Sequence, residues 1–365
     1  MALKCGIVGL TNIGKTTIFN CFSETKAEVT NFSFSTDKSN LGTVKVPDQR
    51  MQKLLELQPS EKLIPTVVDI IDVPGIAKGA SEGEGTGNKF LGDIRNSDAL
   101  IHVLRCFEDE NLQHVEGSVD PVRDIELLNF ELQVKDLESI EKKMVRLEKV
   151  ARANDKDAKK GLDVLTVFKE HLENLKPAHS ADVKEEDKKY VKDLNLLTIK
   201  PVMYVCNVDD DSAINGNAHT EAVIEFLKDE DAQVLIIAAA MEADIAELES
   251  IEERTEFLED AGLTEPGVDK LIRAAYDLLN LQTFFTVGPK EIHAWTLKKG
   301  MSAPEAAGVI HSDLQKGFIR AEVMHYSEFV ELGSEQKCKE KGKFYVEGKN
   351  YIVEDGDILN IRFNV

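Results

Sequence analysis

Several things are scarce in this chain, and each scarcity closes off a class of function. No apolar run approaches the ~20 residues that a membrane helix needs, and the longest, from Val234 to Met241, is strand-sized. A membrane is therefore not an expected partner. Cysteines number five, Cys5, Cys21, Cys106, Cys206 and Cys338, with no C-x-x-C pair among them. That odd, scattered set speaks against a disulfide framework and for a reduced, cytoplasmic protein. Positive charge is short: 44 Lys and Arg face 66 Asp and Glu, a formal net charge of −22. A generic electrostatic nucleic-acid binder needs a basic footprint, so any RNA contact has to be local. The N-terminal MALKCGIVGL lacks a small-residue cleavage site and reads as a first strand, not as a signal peptide. Aromatics make up only 6% of the chain, against 42% apolar and 30% charged residues, a globular composition. At 365 residues it fits two or three domains.

What is present begins with alternation. From Leu3 to about Pro121, the buried-looking strands CGIVGL, TVVDIIDV and ALIHVLRCF alternate with helical patterns. This predicts an α/β domain around a mostly parallel sheet. Leu137, Ile140, Met144, Leu147 and Ala151 then repeat at spacings of three and four. After the polar break ANDKDAKKG, Leu162, Leu165, Phe168, Leu172 and Leu175 resume a helical face. The narrow seam predicts an antiparallel, coiled-coil-like helical hairpin inserted in the sheet domain; a pair of surface helices is the other reading. A polar linker near Ala178 to Glu186 follows. The strands PVMYVCN and AQVLIIAAA and a helix from Gly267 to Asn280 complete the sheet domain. Short β-type runs and one helical stretch, Ala303 to Leu314, make a small α+β domain at the end. The expected division is 1–124 and 197–280 for the nucleotide-type domain, 125–196 for the hairpin, and 281–365 for the last domain.

Gly9-Leu10-Thr11-Asn12-Ile13-Gly14-Lys15-Thr16 fits the phosphate-loop pattern G-x-x-x-x-G-K-[ST], with an apolar strand before it and a helix after. Glycines let the backbone of Asn12, Ile13, Gly14, Lys15, Thr16 and Thr17 wrap phosphate with its N–H groups. Lys15 would neutralise the β/γ oxygens, a catalytic as well as a binding role, and the Thr16 hydroxyl would ligate Mg2+. Asp72-Val73-Pro74-Gly75 ends a buried strand: Asp72 would hold Mg2+ through water, and the Gly75 N–H would face the γ-phosphate. Thr36, in the loop before the second strand, is a further candidate for closing over Mg2+. The glycine-dense run from Gly79 to Phe90 suits a switch that orders with the γ-phosphate, or a loose surface loop.

Two expected groups are missing from this site. The residue after D-x-x-G is Ile76, which cannot orient water as the usual Gln does. His102, inside a buried strand, reads as a core histidine. His114, in the polar loop EDENLQHVEG, is free to swing toward the site. At the end of PVMYVCN stands Asn207-Val208-Asp209-Asp210, where guanine-reading sites carry Asn-Lys-x-Asp. Val208 removes the lysine stem over the base, whereas Asp210 is of the type that reads guanine. Asn207 suits either base or a bracing role, and Ala239, Ala240 and Met241 should wall the pocket.

Taken together, KCGIVGLTNIGKTTIFN, NFSFST, DVPGIAKGASEGEGTGNKFLGDIR, ALIHVLRCFED, AAAMEADIAEL, LQTFFTVGPKEIHAWT, GFIRAEV and DGDILNIRFNV closely resemble the Obg-like ATPase family, YchF subfamily. The resemblance spans essentially the whole chain. It implies a P-loop G-domain of the translation-factor class, a helical hairpin insert and a C-terminal TGS domain. It also implies a slow, ribosome-associated hydrolase that prefers ATP to GTP, with His114 as the catalytic histidine and Asn12 as the residue linked to potassium-dependent hydrolysis. The chain departs from the family pattern at Thr11 and Ser33, where proline is usual, at Val73-Pro74, after Thr36 (Asp37, Lys38), and at Asp210, where glutamate is usual. Three readings stand at this point: an ATP-driven switch, a guanine-specific GTPase favoured by Asp210, and a nucleotide-sensing scaffold with little turnover. The hairpin and the last domain, with Lys298, Lys299, Lys316, Arg320, Lys337, Lys339, Lys341 and Lys343, would be the parts that touch RNA.

Overall fold

The computed structural model describes residues 3–22, 39–75, 86–152, 155–230, 232–248 and 250–364. Thr36, Ile76 and the run from Gly79 to residue 85 lie outside them, as do Ser33, Asp37 and Lys38. The chain divides into two units. One takes in the chain up to Thr43 together with Asp69–Leu271; the other takes in Val44–Val68 and everything from Ile272 onward.

The first unit is built on a sheet of six strands. These are β1 (Lys4–Val8), β2 (Asn40–Lys45), β4 (Val67–Asp72), β5 (Ala99–Arg105), β6 (Val202–Asn207) and β7 (Val234–Ile237), in the order β2-β4-β1-β5-β6-β7. From β4 to β7 every pairing is parallel. That is why the central strands read as unbroken apolar runs: a parallel sheet covered on both faces has no solvent side, and all seven residues of β5 are buried. Helix α1 (Lys15–Phe22) starts directly after the phosphate loop, with Ile18 N–H bonding Gly14 C=O at 3.0 Å. Helix α3 (Thr86–Arg95) buries Phe90, Leu91 and Ile94 against Val8, Ile71 and Leu100. The glycine-dense run was expected to stay loose as far as Phe90; its last residues, Thr86 to Phe90, are instead the first turns of this amphipathic helix.

Helix α4 (Pro121–Ala151) opens with Pro121 in its first turn and Asp120 as cap, the carboxylate accepting from Arg123 N–H at 3.1 Å. Both devices suit a helix start. Helix α5 (Lys156–Glu173) is capped likewise by Asp155. Leu137, Ile140, Met144 and Leu147 pack against Leu165, Phe168 and Leu172 as the seam predicts. Two details differ. Leu175 is exposed, because α5 ends at Glu173 and Leu175 turns into left-handed backbone, φ 56°. The supposed linker, Ala178 to Glu186, packs on the hairpin: Ala178 is buried in the same cluster with Ala181 and Val183 against it, and Tyr190, Val191 and Leu196 beyond it extend the cover. Asp136 fixes that cover, its carboxylate accepting from the N–H groups of Leu197 at 2.7 Å and Thr198 at 2.8 Å.

The second unit carries its own sheet, formed by β3 (Lys62–Ile64), β8 (Leu281–Val287), β9 (Glu291–Lys298), β10 (Phe318–Met324), β11 (Tyr345–Glu347) and β12 (Ile358–Phe363), ordered β11-β10-β12-β8-β9-β3. Residues 44–68, which the sequence division keeps in its first segment, belong here. β3 pairs with β9 in parallel, and helix α2 (Gln49–Leu57) packs Met51 and Leu54 against Phe285, Ile292 and Met324.

Candidate functional site

The phosphate loop, the end of β4 and the ends of β6 and β7 meet at the C-terminal edge of the first sheet, where open α/β sheets bind ligands. Asp72 closes β4 beside Ile7 of β1. The Thr16 hydroxyl donates to Asp72 Oδ2 at 2.9 Å, and Asp72 Oδ1 is buried with no hydrogen-bond partner. Burial raises the Asp72 carboxyl above its ordinary range, with Lys15, Thr16 and Asn40 pulling the other way. A hydroxyl and a carboxylate with one oxygen unsatisfied are hard oxygen donors that suit a divalent cation such as magnesium. Lys15 is 7% exposed, and its ammonium donates to the Leu10 carbonyl. Burial lowers its pKa to about 8, partly offset by Asp72.

Glycine is required twice at this edge. At Gly14, φ is +91° and a Cβ would lie 2.2 Å from Asn207 Nδ2. At Gly75, a Cβ would lie 2.5 Å from Thr11 Cγ2. The turn after β4 thus lies directly on the phosphate loop, against Thr11. Asn12 adopts left-handed backbone, φ 58°.

Asn207, 3% exposed, braces the site. Its Nδ2 donates to Ile13 C=O at 3.0 Å, and its Oδ1 accepts from Ala239 N–H at 3.0 Å. The phosphate loop is thereby tied to the first turn of helix α6 (Ala239–Glu247). Val208 is buried among Leu104, Cys106 and Val223. Asp210 is exposed at the start of a short turn held by Asp209, whose carboxylate accepts from Ser212 N–H at 3.0 Å. Ala239 is buried, Met241 half-buried and Ala240 exposed.

Of the two histidines, His102 is placed as expected and His114 is not. His102 is buried beside Tyr204 as a core histidine, yet its Nε2 has no partner, and burial drives its pKa to about 3. His114 does not hang in an open loop. It is 6% exposed, with Nε2 3.0 Å from Asp124 Oδ2 and Nδ1 accepting from Glu116 N–H at 3.1 Å. Arg105 builds that loop, a role the sequence reading does not assign it. It is 1% exposed at the end of β5, and its guanidinium donates to the carbonyls of Phe107, Asp109 and Leu112. An arginine closing an otherwise apolar strand was the available signal.

The comparisons with known proteins agree with this architecture. Residues 4–135 match the family model described as 50S ribosome-binding GTPase. Residues 281–364 match the model YchF-GTPase_C, described as a protein of unknown function. The protein called Ribosome-binding ATPase YchF from Bacillus subtilis is 49% identical, with all of both chains covered. This chain belongs to the YchF family. The protein of the same name from Escherichia coli O157:H7 is 47% identical over all of both chains. The solved structure of the Schizosaccharomyces pombe YchF GTPase is 32% identical, covers 99% of this chain and 97% of its own, and superposes with a TM-score of 0.86. The fold is thus an α/β P-loop G-domain with the YchF family's additions.

In the second unit, His325, Glu354 and Asp357 come together, which the sequence spacing did not disclose. Hydrogen bonds account for the gathering. Asp357 Oδ1 lies 2.8 Å from His325 Nδ1, and Oδ2 accepts from Tyr351 O–H at 2.7 Å and Glu354 N–H at 2.9 Å.

Proposed function

We propose that the chain is an ATP-preferring nucleoside triphosphate hydrolase that works as a slow, ribosome-associated switch. The observation that carries this reading is the assembled phosphate edge, with Lys15, the Thr16–Asp72 pair and the Asn207 brace meeting at one place. The full-length relatives named ribosome-binding ATPases support it. Backbone N–H groups from Asn12 to Thr17 would hold the phosphates and Lys15 would offset their charge. Thr16 and Asp72, with Thr36, would hold Mg2+, which supplies charge neutralisation at the β/γ oxygens. Asn12 is the candidate for a potassium requirement. With Ile76 unable to orient water, His114 takes that role.

Base preference follows from what each residue is already doing. Asn207 gives one of its two amide N–H groups to the phosphate loop and accepts from Ala239 N–H, a brace compatible with either base, so it does not choose between them. Val208 points into the core cluster and offers no stem over the base. Adenine is then held by the wall of Ala239, Ala240 and Met241, with Asp210 turned to solvent. Asp210 favours a second reading, a guanine-specific GTPase, because its carboxylate could accept from guanine N1–H and the N2 amine. The relatives' names include both an ATPase and a GTPase.

Titration of the purified chain with fluorescent ATP and GTP analogues in Mg2+ and K+ decides between them. Binding of ATP about tenfold tighter or more supports the ATPase. Tighter GTP supports the second reading, and weak equal binding supports a scaffold with little turnover. Co-sedimentation with ribosomal subunits in the presence of a non-hydrolysable ATP analogue tests the partner. For RNA contact, the second unit offers fewer loose cations than its composition suggests. Lys299, Arg320, Lys339 and Lys343 are paired with Asp277, Glu322, Glu335 and Glu328. The contact would fall to Lys298, Lys316, Lys337 and Lys341.

A further inference from the structure

The loop after β5 stores His114 and does not present it, and the storing group is Asp124. A neutral imidazole has one N–H and one lone pair. The Glu116 N–H takes the lone pair of Nδ1 at 3.1 Å, so the ring proton sits on Nε2, 3.0 Å from Asp124 Oδ2. Neither nitrogen is left to accept a hydrogen bond from water. In a histidine–carboxylate dyad the carboxylate holds one nitrogen and the other faces the reacting group; here that second nitrogen is closed off by backbone. The contact therefore orients nothing toward the nucleotide.

We propose that Asp124 is a latch, a positioning residue that holds His114 out of line, and that turnover requires its release. The inference rests on the reading of His114 as the water-orienting group. The latch itself is firmly mounted. Asp124 Oδ1 accepts from Arg123 Nη2 at 3.0 Å and Nε at 3.3 Å, and the residue lies in the first turn of α4, where the helix dipole favours a carboxylate. Arg123 also donates to Ser118 O at 2.7 Å, fixing the far end of the loop. Arg105, bonded to the carbonyls of Phe107, Asp109 and Leu112, fixes the near end. Between these anchors runs the short stretch from Gln113 to Gly117. Gly117 has φ +81°, and no atom lies within 4 Å of where its Cβ would be. This stretch can turn at Gly117 and carry the imidazole out without disturbing β5 or α4.

The test is steady-state ATP hydrolysis by the full chain without ribosomes. It compares wild type, Asp124→Ala, Asp124→Asn, His114→Ala and the double variant His114→Ala/Asp124→Ala. Removing the acceptor should raise kcat on the order of tenfold, the weight of one charge-assisted hydrogen bond, and leave KM unchanged. Asp124→Asn, which keeps an acceptor without its charge, should fall between. The double variant should match His114→Ala, because a latch has no effect without the group it holds. Nitrogen chemical shifts of the His114 ring should report an Nε2–H tautomer in wild type and a change in Asp124→Asn. An unchanged or lowered kcat in Asp124→Asn overturns the latch, and that isosteric variant decides the matter if Asp124→Ala fails to fold. The two readings fail separately. Wild-type turnover by His114→Ala removes the catalytic histidine and the latch with it. An inactive His114→Ala beside an unchanged Asp124→Asn removes the latch alone.

Discussion

The two ends of the proposed nucleotide site are built to different standards. At the phosphate end, the groups are held before any ligand arrives. Lys15 is buried against Leu10, Thr16 is bonded to Asp72, and Asn207 ties Ile13 to Ala239. At the base end, Asp210 stands exposed on a short turn whose side-chain bond comes from its neighbour Asp209. Preorganised donors cost little to use, whereas a solvated carboxylate gives up its water to bind. Affinity should therefore come from the phosphates, and discrimination between bases should be soft. A family whose members are named both ATPase and GTPase fits such a division.

The strongest test of the phosphate end is Lys15→Ala. Loss of charge-assisted contacts to the β and γ oxygens should weaken nucleotide binding on the order of a thousandfold. Thermal stability without nucleotide should hold or rise, because the ammonium is buried with its pKa lowered by burial. Equilibrium titration and a melting curve on the same sample check both halves, and a melting temperature that drops sharply would show Lys15 to be a structural residue. Next in size is Asn207→Ala. It removes two buried hydrogen bonds and leaves the Ile13 carbonyl and the Ala239 N–H without partners, a loss of about 2–3 kcal/mol in denaturant titration. Nucleotide affinity should fall with it. Stability that falls while affinity holds would separate the brace from the phosphate loop.

The lysine also gives the site a pH dependence of fixed sign. In the free protein its pKa is lowered from 10.5 to about 8. Bound polyphosphate favours the ammonium and raises that value, so above pH 8 binding must take up a proton. Affinity should be flat below pH 8 and fall about tenfold per unit above it until the bound form also titrates. Lys15→Arg is the control, since a guanidinium stays charged throughout and its profile should show no break near pH 8. A wild-type profile that is equally flat would mean that Lys15 keeps its proton in the free protein.

The phosphate end was also the legible one. Its G-x-x-x-x-G-K-[ST] pattern lies within the consecutive residues Gly9 to Thr16, with Lys15 opening the helix after the loop, and Asp72-Val73-Pro74-Gly75 follows directly on an apolar strand. Such features depend on a few neighbouring residues and survive in a linear reading. What stayed hidden depends on distant partners. β3 joins a strand more than two hundred positions downstream, so residues 44–68 carry no local sign of the unit they enter. The apparent linker after α5 looks polar because the residues that bury it, Ala178 within it and Tyr190, Val191 and Leu196 just after it, are spread between charged ones. His114 has the polar neighbours of an open-loop residue, and only the first turn of α4 reveals the carboxylate beside it.

The smallest effect should come from the residue that most resembles a specificity determinant. Replacing Asp210 with alanine removes a carboxylate that is already in water, so ATP affinity should change by less than about threefold. GTP is the sharper probe. If Asp210 turns inward to accept from guanine N1–H and the N2 amine, its loss should weaken GTP alone, by tenfold or more, as an unpaired donor pair does in a site made for it. If both nucleotides hold within threefold, the base end contributes contact and little choice, and preference for adenine rests on the wall formed by Ala239, Ala240 and Met241. A bulkier residue at exposed Ala240 should then shift the ATP-to-GTP ratio more than any change at Asp210.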